Sequence, residues 1–291
     1  METAIRATQK ASEADEWALV LTASGIPYRV EVADAGWALL VPAPEAARAR
    51  EALNAYDEET RGQPHATLPE GASLRTAWTI GLAVAALLLG FFAMTGPPVA
   101  ESTWFERGAA ASGPMLNGEP WRAVTALTLH VDAAHVIGNA IATAVLLPAI
   151  VQRLGPGSGV WLVVLAGAGA NLLAATAQSS RHVAVGASTA TFGMIGLLAA
   201  LRLWSGSATA RTTGRRWIVP VAAVLLFALL GTGRGTDVLA HALGLLSGGV
   251  LGLVAAVSQR PLAAPIQWAL VAAAALTVVG CWHLALSGTS G

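Results

Sequence analysis

The 291-residue sequence is short of charge and of cysteine. Charged residues make up 12% of it, about half the share typical of soluble domains, whereas 55% are hydrophobic. The one cysteine, Cys281, lies in an apolar run, which excludes an intrachain disulfide and a zinc site built on paired cysteines. The sequence also lacks His-Glu-x-x-His and a pair of aspartates inside an apolar segment. These absences argue against a membrane zinc protease and a membrane aspartic protease.

The formal net charge of zero conceals two unlike parts. Residues 1–75 contain 12 acidic and 7 basic side chains, whereas residues 76–291 contain 5 acidic and 10 basic ones, all of them arginine. This division is typical of an acidic cytosolic domain attached to a membrane bundle, and it argues against a nucleic-acid-binding protein. The first residues are charged and lack an apolar stretch before a small-residue cleavage site, so we expect no cleaved signal peptide.

Residues 1–62 are predicted to form a small α+β accessory domain of order (β)αββα. A helix is expected from about Ser12 to Ser24, and Pro44 is expected to start a second one. Between them, the alternating sequence 28–32 and the apolar sequence 37–41 predict two strands joined by a turn. Residues 63–75, with two prolines and a glycine, are predicted to be a linker.

Seven later stretches have the roughly 20 apolar residues needed to cross a bilayer, so the sequence predicts an all-α polytopic membrane bundle. They lie near 76–95, 133–151, 158–178, 185–204, 216–233, 236–257 and 265–286. We divide them into a six-helix core at 76–257 and a seventh helix with its tail at 258–291. The long connection 96–132 is amphipathic and is expected to lie at the membrane interface on short helices.

The arginines predict the orientation of the bundle. With the N-terminus in the cytoplasm, seven arginines fall in inner segments and four in outer ones. The inner set is Arg75, Arg153, Arg202, Arg211, Arg215, Arg216 and Arg260, and the outer set is Arg107, Arg122, Arg181 and Arg234. We therefore expect a multi-pass protein of the cell membrane with a cytoplasmic N-terminus.

Four polar residues inside the predicted spans are candidates for function, because such residues are costly in a membrane. His135 and Asn139 lie in span 2, Ser188 lies in span 4 and His241 lies in span 6. All four fall near the outer ends of their spans, so residues far apart in sequence are expected to meet at one depth. A lone serine here would be read as packing, but with a histidine it becomes a candidate nucleophile.

Small residues on these spans favour close contact between spans 4 and 6. Gly244, three residues after His241, is followed at four-residue spacing by Gly248 and Gly252. Ser188, Phe192 and Gly196 show the same four-residue spacing. Such faces allow the serine oxygen to come within about 3 Å of an imidazole nitrogen. Phe192 is expected to pack on that imidazole.

Two further pairs of residues could suggest a metal site or a catalytic triad. His130 and His135, five residues apart, would point about 140° away from each other on one helix, which argues against a chelating pair. Asp237 precedes His241 by one turn and could contact it as the acid of a triad, but at the start of a span it is better interpreted as a helix cap. No metal site and no cofactor is predicted.

Several short sequences resemble, in order, the motifs of the rhomboid family of intramembrane serine proteases. They are Trp121-Arg122, His130, His135-Val-Ile-Gly-Asn139, Gly186-Ala187-Ser188 and Ala240-His241-x-x-Gly244-x-x-x-Gly248. One such motif alone would be weak evidence, but their order and their spans make the resemblance specific. It covers about residues 76–257.

The resemblance implies a rhomboid-like catalytic core and a dyad without a third acid. Ser188 would attack the peptide carbonyl, and His241 would serve as general base and then as acid. His135, Asn139 and the backbone N–H of Ser188 would stabilise the oxyanion, with Gly186 allowing close backbone approach. The supporting positions would be Phe192, His130, Trp121, Arg122, Gly244 and Gly248.

The resemblance also implies the partners of the protein. The substrates would be membrane proteins cut in or beside a transmembrane segment, within the lipid bilayer and near its outer face. Span 5 and the loop after it would form a lateral gate. The oligomeric state does not follow from the sequence.

Two positions depart from the family pattern. Thr189 stands where a glycine usually follows the nucleophile, and Phe192 stands where a tyrosine is common. The bulk of Thr189 beside the oxyanion site bears on rate or substrate choice more than on mechanism. A catalytically silent rhomboid-like binding or chaperone factor is the alternative function, although such proteins typically lack the serine or the histidine. A small-solute transporter is a third, but no internal repeat with paired broken helices supports it.

Overall fold

The structure is a computed structural model that describes residues 2–9, 11–33, 36–60, 72–99, 101–204, 237–258 and 262–287. The chain separates into two compact units, Met1–Thr67 and Leu68–Gly291. The predicted span 216–233 and most of the predicted linker 63–75 lie outside the described residues.

The N-terminal unit has the predicted β-α-β-β-α order. Its elements are β1 (Glu2–Thr8), α1 (Ala11–Ala23), β2 (Arg29–Ala33), β3 (Gly36–Pro42) and α2 (Ala46–Thr60). The strands form an antiparallel sheet in the order β1-β3-β2. Fully buried leucines from α1, β3 and α2, namely Leu21, Leu39 and Leu53, form the core of this unit.

The second unit is a bundle of apolar helices, which confirms the predicted polytopic membrane protein. Within the described part of this unit, five helices are long and apolar enough to cross a membrane: α3 (Leu74–Thr95), α7 (Ala133–Leu154), α8 (Pro156–Ala177), α10 (Val238–Ser258) and α11 (Ala264–Ser287). A sixth, α9 (Ser188–Trp204), has 17 residues. Each of these six coincides with one of the predicted spans to within a few residues.

The start of α9 differs from the predicted span 185–204. Val183–Ala184 form a short strand, β5, and Gly186 adopts a backbone φ of +127°, so the helix begins at Ser188. This φ is compatible with glycine and strained for other residues. The chain therefore enters α9 through a tight turn, and Ser188 is the first helical residue.

The connection between α3 and α7 contains short helices, as expected for 96–132. They are α4 (Thr103–Gly108), α5 (Ser112–Leu116) and α6 (Arg122–Thr125). A two-residue strand, β4 (Ala110–Ala111), pairs with β5 in antiparallel register. This pairing attaches the connection to the segment that leads into α9.

Helices α9 and α10 lie closer together than side chains would normally allow. A Cβ atom added to Gly244 or Gly248 would overlap the carbonyl oxygen of Thr189 or Gly193, respectively. Gly252 lies against Leu197 in the same way. The glycine row predicted on span 6 is confirmed, but its partners on α9 are the backbone of residues 189, 193 and 197. The row predicted on α9 also makes contact, since a Cβ atom added to Gly196 would overlap the carbonyl oxygen of Leu245.

Helix α11 is fixed to the bundle at both ends. Near its start, the buried Gln267 side chain accepts hydrogen bonds from the backbone N–H groups of Gly157 and Ser158, at 2.8 and 2.9 Å. Near its end, the Trp282 indole N–H donates to Thr128 Oγ1 at 3.1 Å, and the ring packs on Phe91 and Trp104.

Candidate active site

The hydroxyl of Ser188 and the imidazole of His241 are hydrogen-bonded. The distance from Ser188 Oγ to His241 Nε2 is 2.8 Å, which is within the range required for proton transfer. Both residues lie in the first turn of their helices, α9 and α10. The ring of Phe192 stacks on the His241 imidazole, with centroids 4.7 Å apart and planes inclined by 34°. Because α9 and α10 approach each other closely at Gly244, Ser188 and His241 are near enough to form this hydrogen bond.

The segment before Ser188 is held by backbone hydrogen bonds. The Gly186 N–H donates to Ala126 O at 2.9 Å, and the Ala187 N–H donates to His130 Nε2 at 3.4 Å. A Cβ atom at Gly186 would lie within 3 Å of the His135 ring, so the glycine is needed for close approach as well as for its φ. The position of the serine is therefore fixed from the N-terminal side by the α3–α7 connection.

His135 and Asn139 lie on α7 beside this segment. The Thr191 hydroxyl donates to Asn139 Oδ1 at 3.3 Å. Among the described residues, Asn139 Nδ2 and His135 Nδ1 are buried and have no hydrogen-bond partner. Buried polar groups are nearly always satisfied, so an unpaired amide N–H beside a serine-histidine pair is suited to bind an incoming oxygen atom.

His130 and His135 do not share a helix, contrary to the spacing used to predict that they do not chelate a metal. His130 precedes α7, which begins at Ala133, and the two imidazoles are in contact with centroids 5.2 Å apart. In the ranges that the structure describes, no third His, Cys, Asp or Glu completes a group that could hold a metal ion. Burial, with a smaller contribution from His135, lowers the pKa of His130 to about 4. Neutral His130 can then accept the Ala187 N–H.

Asp237 caps α10, as predicted. Its Oδ1 accepts the Ala240 N–H at 3.0 Å. The carboxylate also contacts His182 and Gln178, which the sequence had not singled out. His182 lies in the loop between two spans, and Gln178 is the residue that follows α8. Burial raises the pKa of Asp237, but the hydrogen bonds from Ala240, Gln178 and His182 lower it by more, so the carboxyl is ionised at neutral pH.

Trp121 and Arg122 lie outside the immediate contact of the dyad. The buried Arg122 guanidinium donates to Glu106 O at 2.8 Å and to Ala109 O at 3.2 Å, and it pairs with Glu119. These bonds satisfy carbonyl groups at the end of α4. Arg122 therefore holds the folded α3–α7 connection together, and its influence on the site is through that connection.

A cavity of about 930 Å³ opens beside the dyad. Its lining includes Ser188, His241, His135 and Gly186, and also Thr189 next to the serine. A cavity of this size accommodates a short stretch of extended chain. Thr189 is buried, and its hydroxyl has no hydrogen-bond partner among the described residues.

Comparison with known proteins agrees with this arrangement. Residues 117–258 match the rhomboid domain. The chain is 27% identical over 178 residues to YdcA of Bacillus subtilis (strain 168), which is named as a candidate rhomboid protease; the match covers 60% of this chain and 86% of YdcA. It is 29% identical over 162 residues to the rhomboid protease GluP of the same organism, covering 56% of this chain and 31% of GluP.

Together with the apolar helices, these matches indicate a multi-pass membrane protein with a helical core. Residues 117–258, which include Ser188 and His241, are similar to the rhomboid family.

Proposed function

We propose that this protein is an intramembrane serine endopeptidase that hydrolyses peptide bonds in or near the transmembrane segments of other membrane proteins. The observation that carries the proposal is the 2.8 Å hydrogen bond between Ser188 Oγ and His241 Nε2 at the starts of two apolar helices, α9 and α10. The names of the relatives, one a candidate rhomboid protease and the other a rhomboid protease, support the same reaction class.

Ser188 acts as the nucleophile and His241 as the general base. His241 Nε2 takes the hydroxyl proton as Ser188 Oγ bonds to the scissile carbonyl carbon, and it returns the proton to the leaving amine. His241 then takes a proton from water as the water attacks the acyl-enzyme. It returns this proton to Ser188 Oγ as the carboxylic acid product leaves. Phe192, stacked on the imidazole, holds the ring in the orientation that this exchange requires. No cofactor and no metal takes part.

The negative oxygen of the tetrahedral intermediate needs donors that are already in place. Asn139 Nδ2, which is buried and without a partner among the described residues, is one, and the backbone N–H of Ser188 is another. His135 supplies a third donor through its imidazole. Because Gly186 has no side chain, the substrate backbone and the His135 ring can both approach this point.

The bundle lies in the cell membrane with the N-terminus in the cytoplasm and the dyad near the outer face. The arginine distribution, seven inner against four outer, supports this orientation. The starts of α7, α9 and α10, which carry His135, Ser188 and His241, then share the outer side, where water is available for hydrolysis. The acidic domain at 1–62 is a cytoplasmic accessory unit.

The test is cleavage of a model transmembrane substrate by the purified full chain in liposomes. We expect Ser188→Ala and His241→Ala each to abolish cleavage, and a fluorophosphonate probe to label the wild-type protein at Ser188 only. Wild-type rates of cleavage in both variants would refute the dyad. A wild-type protein that neither cleaves nor becomes labelled would instead support the silent binding or chaperone function.

A further inference from the structure

A second polar contact joins the elements that carry Ser188 and His241. His182 Nε2 and Asp237 Oδ2 are 2.7 Å apart. The Gln178 side chain donates to both oxygens of the same carboxylate, at 3.1 and 3.0 Å. The side chains of His182 and Asp237 are 28% and 16% exposed, so their hydrogen bond is largely sheltered from solvent.

Each member of the pair is rigidly connected to one member of the dyad. His182 precedes Ser188 by six residues, and its carbonyl oxygen accepts the Ser112 N–H at 3.0 Å where β4 and β5 pair. Asp237 precedes His241 by four residues, and its carbonyl oxygen accepts the His241 N–H at 3.0 Å. The contact between His182 and Asp237 therefore sets the separation of the two elements on the outer side of the dyad.

The glycine contacts set the same separation on the inner side. Gly244 and Gly248 lie against the backbone of α9 below the dyad, and this contact leaves the first turn of α10 free to tilt about it. A tilt that moved His241 by about 1 Å would break its hydrogen bond to Ser188, and displacements of this size can cost about 100-fold in rate. The contact between His182 and Asp237, on the outer side of Ser188 and His241, opposes this tilt.

We propose that His182 and Asp237 are positioning residues for catalysis: their hydrogen bond fastens the first turn of α10 to the segment that leads into Ser188 and so keeps the dyad in register. This proposal rests on the serine protease function proposed above. It assigns the pair no contact with the reacting atoms, so its loss should reduce kcat and leave KM nearly unchanged.

Asp237 has two roles that can be separated by substitution. One carboxylate oxygen caps α10, and the other faces His182. Asp237→Ser keeps a good N-cap residue but is too short to reach His182. His182→Gln keeps a side-chain donor near the position of Nε2, whereas His182→Ala removes it. Arg181→Ala, in the same turn and exposed, is the control.

The experiment measures kcat and KM for a transmembrane substrate in liposomes, the rate of fluorophosphonate labelling, and the thermal unfolding midpoint. We expect His182→Ala and Asp237→Ser to lower kcat by about 10- to 100-fold, with a parallel fall in labelling and KM within about twofold. His182→Gln should recover most of the loss, and the double variant His182→Ala/Asp237→Ser should be no slower than the slower single variant. Arg181→Ala should behave as the wild type.

Other outcomes overturn the proposal. Wild-type kcat in a folded Asp237→Ser variant, a loss confined to KM, or additive losses in the double variant would each show that the pair does not position the dyad. Should His182→Ala fail to fold, His182→Gln and Asp237→Ser decide between the same outcomes. Absence of Ser188-dependent cleavage in the wild-type protein would instead refute the protease function, and this proposal with it.

Discussion

The Thr191 hydroxyl donates a hydrogen bond to the Asn139 side-chain oxygen at 3.3 Å, one turn below Ser188. This bond engages the Asn139 amide oxygen, whereas the amide N–H is buried and has no hydrogen-bond partner among the described residues. Thr191 is therefore one contact removed from the reaction, and it was not among the residues chosen from the sequence.

We expect Thr191→Val, which keeps the shape of the side chain, to lower kcat by about fivefold, since one hydrogen bond contributes about 1 kcal/mol. Asn139→Ala, which removes a donor to the oxyanion, should cost about 100-fold or more. Single-turnover cleavage measures both. An equal loss in the two variants would show that Thr191 does more than orient the amide.

Gly248 and Gly249 provide a matched pair for testing the contact of α9 and α10. A Cβ atom at Gly248 would overlap the carbonyl oxygen of Gly193, whereas one at Gly249 meets nothing within 4 Å. Gly248→Ala should therefore destabilise the bundle by about 1–3 kcal/mol and displace His241 from Ser188. Gly249→Ala should leave stability and labelling of Ser188 unchanged. Thermal unfolding in detergent, followed by probe labelling, compares the two variants. Equal behaviour would mean that the helices are not in contact as described.

The buried His130 predicts a loss of stability in acid. Its pKa is about 4 in the folded protein, below the ordinary value of 6.5, because burial disfavours the charged imidazole. The unfolded chain therefore binds a proton first, and stability present above pH 6.5 is lost as the pH falls toward 4. Between pH 7 and pH 5 the loss should be about 2 kcal/mol.

His130→Gln provides the comparison for this pH dependence, because its amide oxygen can still accept the Ala187 N–H but does not titrate. The unfolding midpoint of the variant should fall less than that of the wild type between pH 7 and pH 5. Parallel falls in the two proteins would assign the acid sensitivity to another group.

The sequence predicted the helices well because membrane-length apolar runs and glycine spacing are local signals. The row of glycines on α10 is readable from residues 244, 248 and 252 alone, since small residues at this spacing have few other uses. Gly196 of the predicted row on α9 also lies against α10. The backbone carbonyl groups that meet the glycines of α10 could not be predicted, because any residue type supplies them.

Contacts made by loops could not be predicted in the same way. His182 lies in a loop between two spans, and only folding brings it to Asp237. The contact of His130 with His135 was missed because it was judged by helical spacing, although the helix starts after His130. A polar residue inside a span, such as Thr191, does carry a signal, and a stricter search for such residues would have found it.

Gln267 should be essential for the attachment of α11. Its side chain accepts hydrogen bonds from two N–H groups at the start of α8 and donates to the Leu154 carbonyl at the end of α7. Gln267→Leu would leave these groups unpaired, so we expect a loss of about 2–4 kcal/mol of stability. Thr277→Val is the control, because the Thr277 hydroxyl bonds only within α11, to Ala273 O. A Gln267→Leu protein as stable as the control would show that α11 is held by apolar contacts alone.

Substitution of Thr189 should raise the stability of the protein, whereas substitution of Gln267 should lower it. Its side chain is buried, and among the described residues its hydroxyl has no partner, which costs free energy in the folded state. Thr189→Val keeps the shape and removes the unpaired group, so we expect stability to rise by about 1 kcal/mol. Thermal unfolding and the rate of Ser188 labelling, measured on Thr189→Val beside Thr189→Ser, separate shape from hydrogen bonding. A fall in stability in the valine variant would mean that the hydroxyl is bonded in the membrane, and a fall in cleavage without a fall in labelling would mean that it contacts the substrate.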